Sequence, residues 1–100
     1  MSHVKELQQW YALHCEGGWE HGSGIRIETI DNPGWLIRID LAGTELQSED
    51  FDPIVTTTND AGWADIRIRD GVWQAACDPV GLDAAIGTFL EWARGFRRPR

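Results

Sequence analysis

The run Trp35-Leu36-Ile37-Arg38-Ile39-Asp40-Leu41 alternates: Trp35, Ile37, Ile39 and Leu41 fall on one side of an extended chain, and Leu36, Arg38 and Asp40 on the other. A period of two marks a strand with one buried and one wet face, the usual condition of an antiparallel sheet. Residues 24–30 repeat the pattern, with Ile25 and Ile27 set against Arg26 and Glu28. Between the two runs lies Asp31-Asn32-Pro33-Gly34. Proline then glycine at the centre of a turn suits type II, whose second central residue has positive φ. The two strands are therefore expected to form a hairpin.

Downstream, residues 42–53 read as a polar connection, with Gly43, Thr44, Glu45, Ser48, Glu49 and Asp50. A β-branched run at 54–58 predicts a third strand, and Asn59-Asp60-Ala61-Gly62 a turn. Residues 63–69 alternate again, with Ala64, Ile66 and Ile68 on one face, and Asp70-Gly71 is a strong hairpin signal. Residues 72–77 make a fifth, shorter strand. Asp78-Pro79-Val80-Gly81 then turns the chain into a helix over about residues 82–96, whose apolar stripe is Leu82, Ile86, Phe89, Leu90, Ala93 and Phe96. Upstream, Val4, Leu7, Trp10, Tyr11 and His14 fall at helical spacing and predict a helix over about 3–15, with Ser2 able to cap its start and Gly17-Gly18 ending it. Residues 19–24 read as loop.

The order is helix, about five antiparallel strands, helix. One sheet face needs cover and the two helices can supply it, so the expected fold is a two-layer α+β domain spanning residues 1–100. The other face carries Arg26, Glu28, Arg38, Asp40, Arg67 and Arg69. These could pair across strands on a solvated face, or form a polar binding surface. Of the six tryptophans, Trp10, Trp63, Trp73 and Trp92 fit helix or strand patterns and are read as core. Trp19 and Trp35 flank the first hairpin as packing residues or interface anchors.

One hundred residues bury roughly 60–70% of the unfolded surface without staples. No apolar run reaches the roughly 20 residues of a membrane span, and Met1-Ser2-His3-Val4-Lys5-Glu6 lacks the apolar region of a signal peptide. That points to a cytoplasmic protein with no membrane partner, in which Cys15 and Cys77 are read as free thiols. The net charge of −7 is uneven. Arg94, Arg97, Arg98 and Arg100 crowd the last seven positions, while residues 1–93 hold five basic and sixteen acidic residues, a net −11. So acidic a body argues against nucleic-acid binding. It suits either plain solubility or the steering of a basic protein partner.

The densest run of reactive types is Cys15-Glu16-Gly17-Gly18-Trp19-Glu20-His21. A metal site would need three or four ligands, and no second cluster completes Cys15, His21 and His14. A sulfurtransferase loop needs a cation beside its thiolate, and Glu20 stands where that cation belongs. Glu20 and His21 could act as acid and base with Asp31 or Asp40 as orienter, but no nucleophile, oxyanion loop or phosphate loop accompanies them. In the plain structural reading Trp19 packs on the sheet and His21 bonds a loop carbonyl. No cofactor is implied. A small enzyme or ligand-binding domain using Cys15, Glu20 and His21 stands as the alternative function, and a generic acidic adaptor as a third.

Trp10-Tyr11, Cys15, Trp19-Glu20-His21, Gly24-Ile25, Thr29, Asp31-Asn32-Pro33-Gly34-Trp35, Ile39-Asp40-Leu41 and Thr44-Glu45-Leu46 occur in the order and spacing of the immunity protein 53 family, which this stretch resembles. The second half is similar only in its strand pattern and a closing helix with Phe89-Leu90-Glu91-Trp92. Glu16-Gly17-Gly18 and the arginine tail depart from the family's pattern. The resemblance implies a bacterial antidote that binds and blocks a cognate toxin domain, with no catalytic residues to carry over. The contacts expected on a basic toxin surface are Trp19, Glu20, His21, Asp31, Asn32, Trp35, Asp40, Glu45, Glu49 and Asp50. Pro33 and Gly34 are expected only to build the turn.

Overall fold

The computed structural model describes residues 3–15, 24–31, 33–58 and 62–95. Helix α1 spans His3–Leu13. Strands β1 (Ile25–Ile30), β2 (Gly34–Asp40), β3 (Ile54–Thr58), β4 (Gly62–Arg69) and β5 (Val72–Cys77) follow, and α2 (Leu82–Arg94) closes the order. The strands form one antiparallel sheet in the order β1-β2-β5-β4-β3. The α+β class, the five strands and the two flanking helices thus follow the alternation and the helical stripes. Both helices end two residues sooner than expected, as fraying ends do. Ser2, Gly17, Gly18, Phe96 and most of the Asn59-Asp60-Ala61-Gly62 turn lie outside the described residues.

Strand β5 sits at the centre, paired with β2 on one edge and β4 on the other, and its alternation is clean: Trp73, Ala75 and Cys77 are buried, while Val72, Gln74 and Ala76 face the other way. Trp73 and Phe89 of α2 meet edge to face at 5.1 Å between ring centroids. Trp10 of α1 meets the same Phe89 at 5.1 Å, and Phe51 meets Trp73 at 5.9 Å and Trp92 at 5.5 Å. Each such ring, fully buried, stabilises the fold by about 1.5–3 kcal/mol. Ile37, Ile39, Leu41, Ile66, Ile86 and Leu90 complete the core around this aromatic set.

The helices also hold each other. The amide and Nδ1 of His3 lie 3.2 and 3.1 Å from the Asp83 carboxylate in the first turn of α2. Arg94, in its last turn, donates to Glu6 at 3.2 Å. A Cβ at Gly87 would stand 2.6 Å from the His3 ring, so α1 begins directly against that glycine.

Several expectations are corrected. Gly34 does not take positive φ at the centre of a type II turn: it opens β2 opposite Ile30, so the hairpin loop is Asp31, Asn32 and Pro33. Glycine stands there for a different reason. A Cβ would meet the Cys77 carbonyl oxygen at 2.1 Å, a close backbone approach that only glycine permits. The Asp70-Gly71 turn behaves as its sequence says, with φ of 54° and 76°, the two positive values of a type I′ hairpin.

Ile27 points to the helix side but is 40% exposed, because β1 is an edge strand beyond the reach of the helices. Val4 is likewise half exposed, and α1 buries only Leu7 and Trp10. Trp63 is not core: its pairing sets it on the face opposite the helices, half-buried, while its neighbours Ala64 and Ile66 turn inward. The 42–53 connection is more than polar. Leu46 within it is fully buried and Phe51 packs on the core. The Thr44 hydroxyl donates to the Leu41 carbonyl at 2.7 Å and accepts from the Leu46 amide, folding the turn that delivers Leu46 inward.

Candidate functional site

The expected contact residues that the structure describes divide between the two ends of the first hairpin. Asp31 is exposed in the loop at one end. Trp35 lies next to it on the helix side of β2, packed on the core, with Nε1 donating to the Pro79 carbonyl at 2.9 Å. Gly34 to Asp40 runs the length of β2, about 20 Å, to the other end. There Asp40 accepts from the Ala42 amide at 3.1 Å. The connection that follows carries Glu45, Glu49, Asp50 and Asp52 within eight positions, three of them exposed and Glu49 half-buried. Trp19, Glu20, His21 and Asn32 lie outside the described residues.

The acidic end is built by definite contacts. Glu45 Oε1 stands 2.7 Å from His14 Nε2, and His14 Nδ1 stands 2.8 Å from the Trp10 carbonyl one turn back. The Asp50 carbonyl accepts from Trp92 Nε1 at 2.9 Å, tying the connection to α2. The Asp40 amide donates to the Gly24 carbonyl at 2.9 Å. The chain therefore leaves α1 beside Glu45 and enters β1 beside Asp40. The last described residues before position 16 and the first after position 23 thus both lie at this acidic end.

The open sheet face has the opposite character. Arg26 lies directly opposite Arg38, Arg38 opposite Gln74, and Gln74 opposite Arg67, so one row across four strands carries three arginines. Opposite charges do not stand directly across from one another on this face: Glu28 faces Leu36, and Asp40 and Arg69 both face Val72. The carboxylate of Asp65 pairs instead along its own strand with Arg67 Nε at 2.8 Å.

Of the thiols, Cys15 is exposed and its Sγ donates to the Tyr11 carbonyl at 3.3 Å. Cys77 is buried, and burial pushes its thiol above the ordinary range, with the Asp78 carboxylate adding to the rise and a backbone hydrogen bond at Trp35 opposing it. A protonated thiol under the sheet is not a nucleophile. Among the described residues no three His, Cys, Asp or Glu side chains gather to hold a metal ion. No described helix is long and apolar enough to cross a membrane.

A family model for immunity protein 53 matches residues 4–94, from the second residue of α1 to the end of α2. The chain belongs to that family. The match takes in both charged surfaces and every element of the immunity-protein fold described above. No curated protein and no solved structure matches the chain.

Proposed function

We propose that this immunity protein is the antidote to a cognate bacterial toxin domain, which it neutralises in the cytoplasm by binding rather than by chemistry. The family match over residues 4–94 carries this reading. The docking end is the acidic one, where Glu45 stands beside His14 and Asp40 beside Gly24, on either side of the sequence that holds Trp19, Glu20 and His21, and where Glu49 and Asp50 follow in the same connection. Carboxylates grouped in this way draw in a basic partner and speed its approach. Asp31 and Trp35, at the far end of β2, join the contact only if the toxin domain spans the hairpin's length.

Co-expression with the toxin-domain product of the adjacent gene, followed by pull-down, tests the reading. Rescue of growth with a stoichiometric complex is the expected result, provided that product is toxic alone. Rescue without binding would transfer the function to an enzymatic reversal of damage, with Cys15, Glu20 and His21 as the residues to replace. Charge reversal at Glu45, Glu49 and Asp50 is expected to slow association and flatten its salt dependence with folding intact. Unchanged kinetics remove that patch from the contact.

A further inference from the structure

We infer that the open face of the sheet is a second recognition surface, opposite in sign to the acidic end, and that it takes a carboxylate-bearing segment of a protein partner. The observation is how the charges are distributed. Residues 1–93 hold five basic side chains, and four of them, Arg26, Arg38, Arg67 and Arg69, stand on this one face, with Lys5 alone elsewhere. Three of these arginines lie in a single cross-strand row. Like charges directly opposite each other on a sheet are unfavourable, so folding gains nothing from Arg26 beside Arg38. Arg26 and Arg38 are exposed and have no hydrogen-bonding or ionic partner among the described residues, where Arg67 has only Asp65.

Apolar surface lies beside the charges. A groove of about 410 Å³ is lined by Leu36, Trp63, Asp65, Arg67, Gln74 and Ala76, among others. Tryptophan next to arginine is the composition of an interface centre. Guanidinium groups bind carboxylates in a forked, two-bond geometry. Neighbouring strands are about 4.8 Å apart, so Arg26 and Arg38 stand at roughly the interval at which successive turns of a helix, about 5.4 Å apart, present carboxylates, and Arg67, beyond Gln74, stands two strand spacings further along the row. Phosphate would be the other anion for such a row, but the net −11 of residues 1–93 repels a polyanion as long as a nucleic acid.

The surface is independent of the acidic end. The inference rests on the antidote reading only in taking the toxin domain as the natural donor of the segment. The probe is a helical peptide with glutamates one turn apart, added to the full chain while the Nε–Hε signals of the arginines are followed by NMR. The expected result is movement of the Arg26, Arg38 and Arg67 signals, binding at least about tenfold weaker in the double variant Arg26→Gln/Arg38→Gln, and no response to the same peptide built with lysines. Any of three results overturns it. These are unmoved arginine signals, equal or tighter binding of a ten-nucleotide single strand at this face, or self-association of the chain that the double variant abolishes. A toxin domain that binds while leaving these signals unmoved also overturns it and spares the antidote reading. A peptide that binds here while the toxin domain does not would sink the antidote reading and leave this surface standing.

Discussion

The two faces of the one sheet are built from the same strands and differ in almost everything else. On the helix side, β2, β5 and β4 present Ile37, Ile39, Trp73, Ala75, Cys77 and Ile66, every one of them buried. On the open side the alternate residues of those strands include three arginines. The contrast teaches where each kind of selection acts. The covered face answers to packing, where one methylene is felt. The open face is free to carry an arrangement that folding alone would not choose.

The largest expected effect tests the covered face. Trp73→Ala removes the ring at the centre of the aromatic set and is expected to cost about 3–5 kcal/mol in urea unfolding. A cost below about 1 kcal/mol would mean that Phe51 and Phe89 do not depend on it. Trp73 Nε1 is buried without an acceptor among the described residues, so Trp73→Phe, which deletes the orphan donor, should recover much of the loss.

Next is the seam between β2 and β5. Gly34→Ala forces a Cβ against the Cys77 carbonyl and is expected to cost about 1–3 kcal/mol, because the obstacle is backbone and cannot rotate away. Wild-type stability in this variant would mean that the two strands part more easily than their pairing suggests.

The third effect is a pH dependence. The native Cys77 thiol holds its proton more tightly than it does in the unfolded chain, so the unfolded chain ionises first. The contribution is complete below the ordinary thiol range and falls as pH rises through it toward the raised native value, by at most about 1.4 kcal/mol per pH unit. Cys77→Ala should lose that part of the alkaline slope. In parallel, a thiolate-selective label should modify Cys15 in the native protein and Cys77 only on unfolding. Rapid native labelling of both would contradict the buried placement.

The smallest effect separates the two faces most sharply. Arg38→Glu replaces a like pair with an opposite pair across from Arg26 and is expected to stabilise the fold by about 0.2–1 kcal/mol. The same change should weaken the binding of a carboxylate-bearing partner. A substitution that improves folding and harms recognition is the mark of a binding face; a solvated face would show only the first effect.

The strands and helices were legible because each carries a clean period of two or a helical stripe. The same periodicity placed Arg26, Arg38, Arg67 and Arg69 on the non-core face. It could not show that three of them share a row, because row membership depends on which residues pair between strands distant in sequence. Nor could it separate Trp63 from Trp73, since the large ring outweighed the alternation that Ala64 and Ile66 were already setting. Leu46 and Phe51 were hidden by polar neighbours, although two apolar residues in an otherwise polar connection were the available signal. Gly34 was read by turn chemistry when the controlling contact was with Cys77, more than forty positions away. For the candidate site, the acidic residues of the 42–53 connection were visible as composition, but their separation from Asp31 by the length of β2 was not.

The strand order has a consequence for how the molecule assembles. Strands β1 and β2 form one hairpin, β3, β4 and β5 form a meander, and only the β2–β5 pairing joins them. Each unit closes through short loops and can form on its own timescale of microseconds, whereas the joint must bring together segments about forty residues apart and bears the greater loop-closure entropy. The docking of the two units then sets the folding rate. Cleavage within the 42–53 connection would leave two fragments, one with α1 and the hairpin and one with the meander and α2, each carrying one edge of the interface that reunites them.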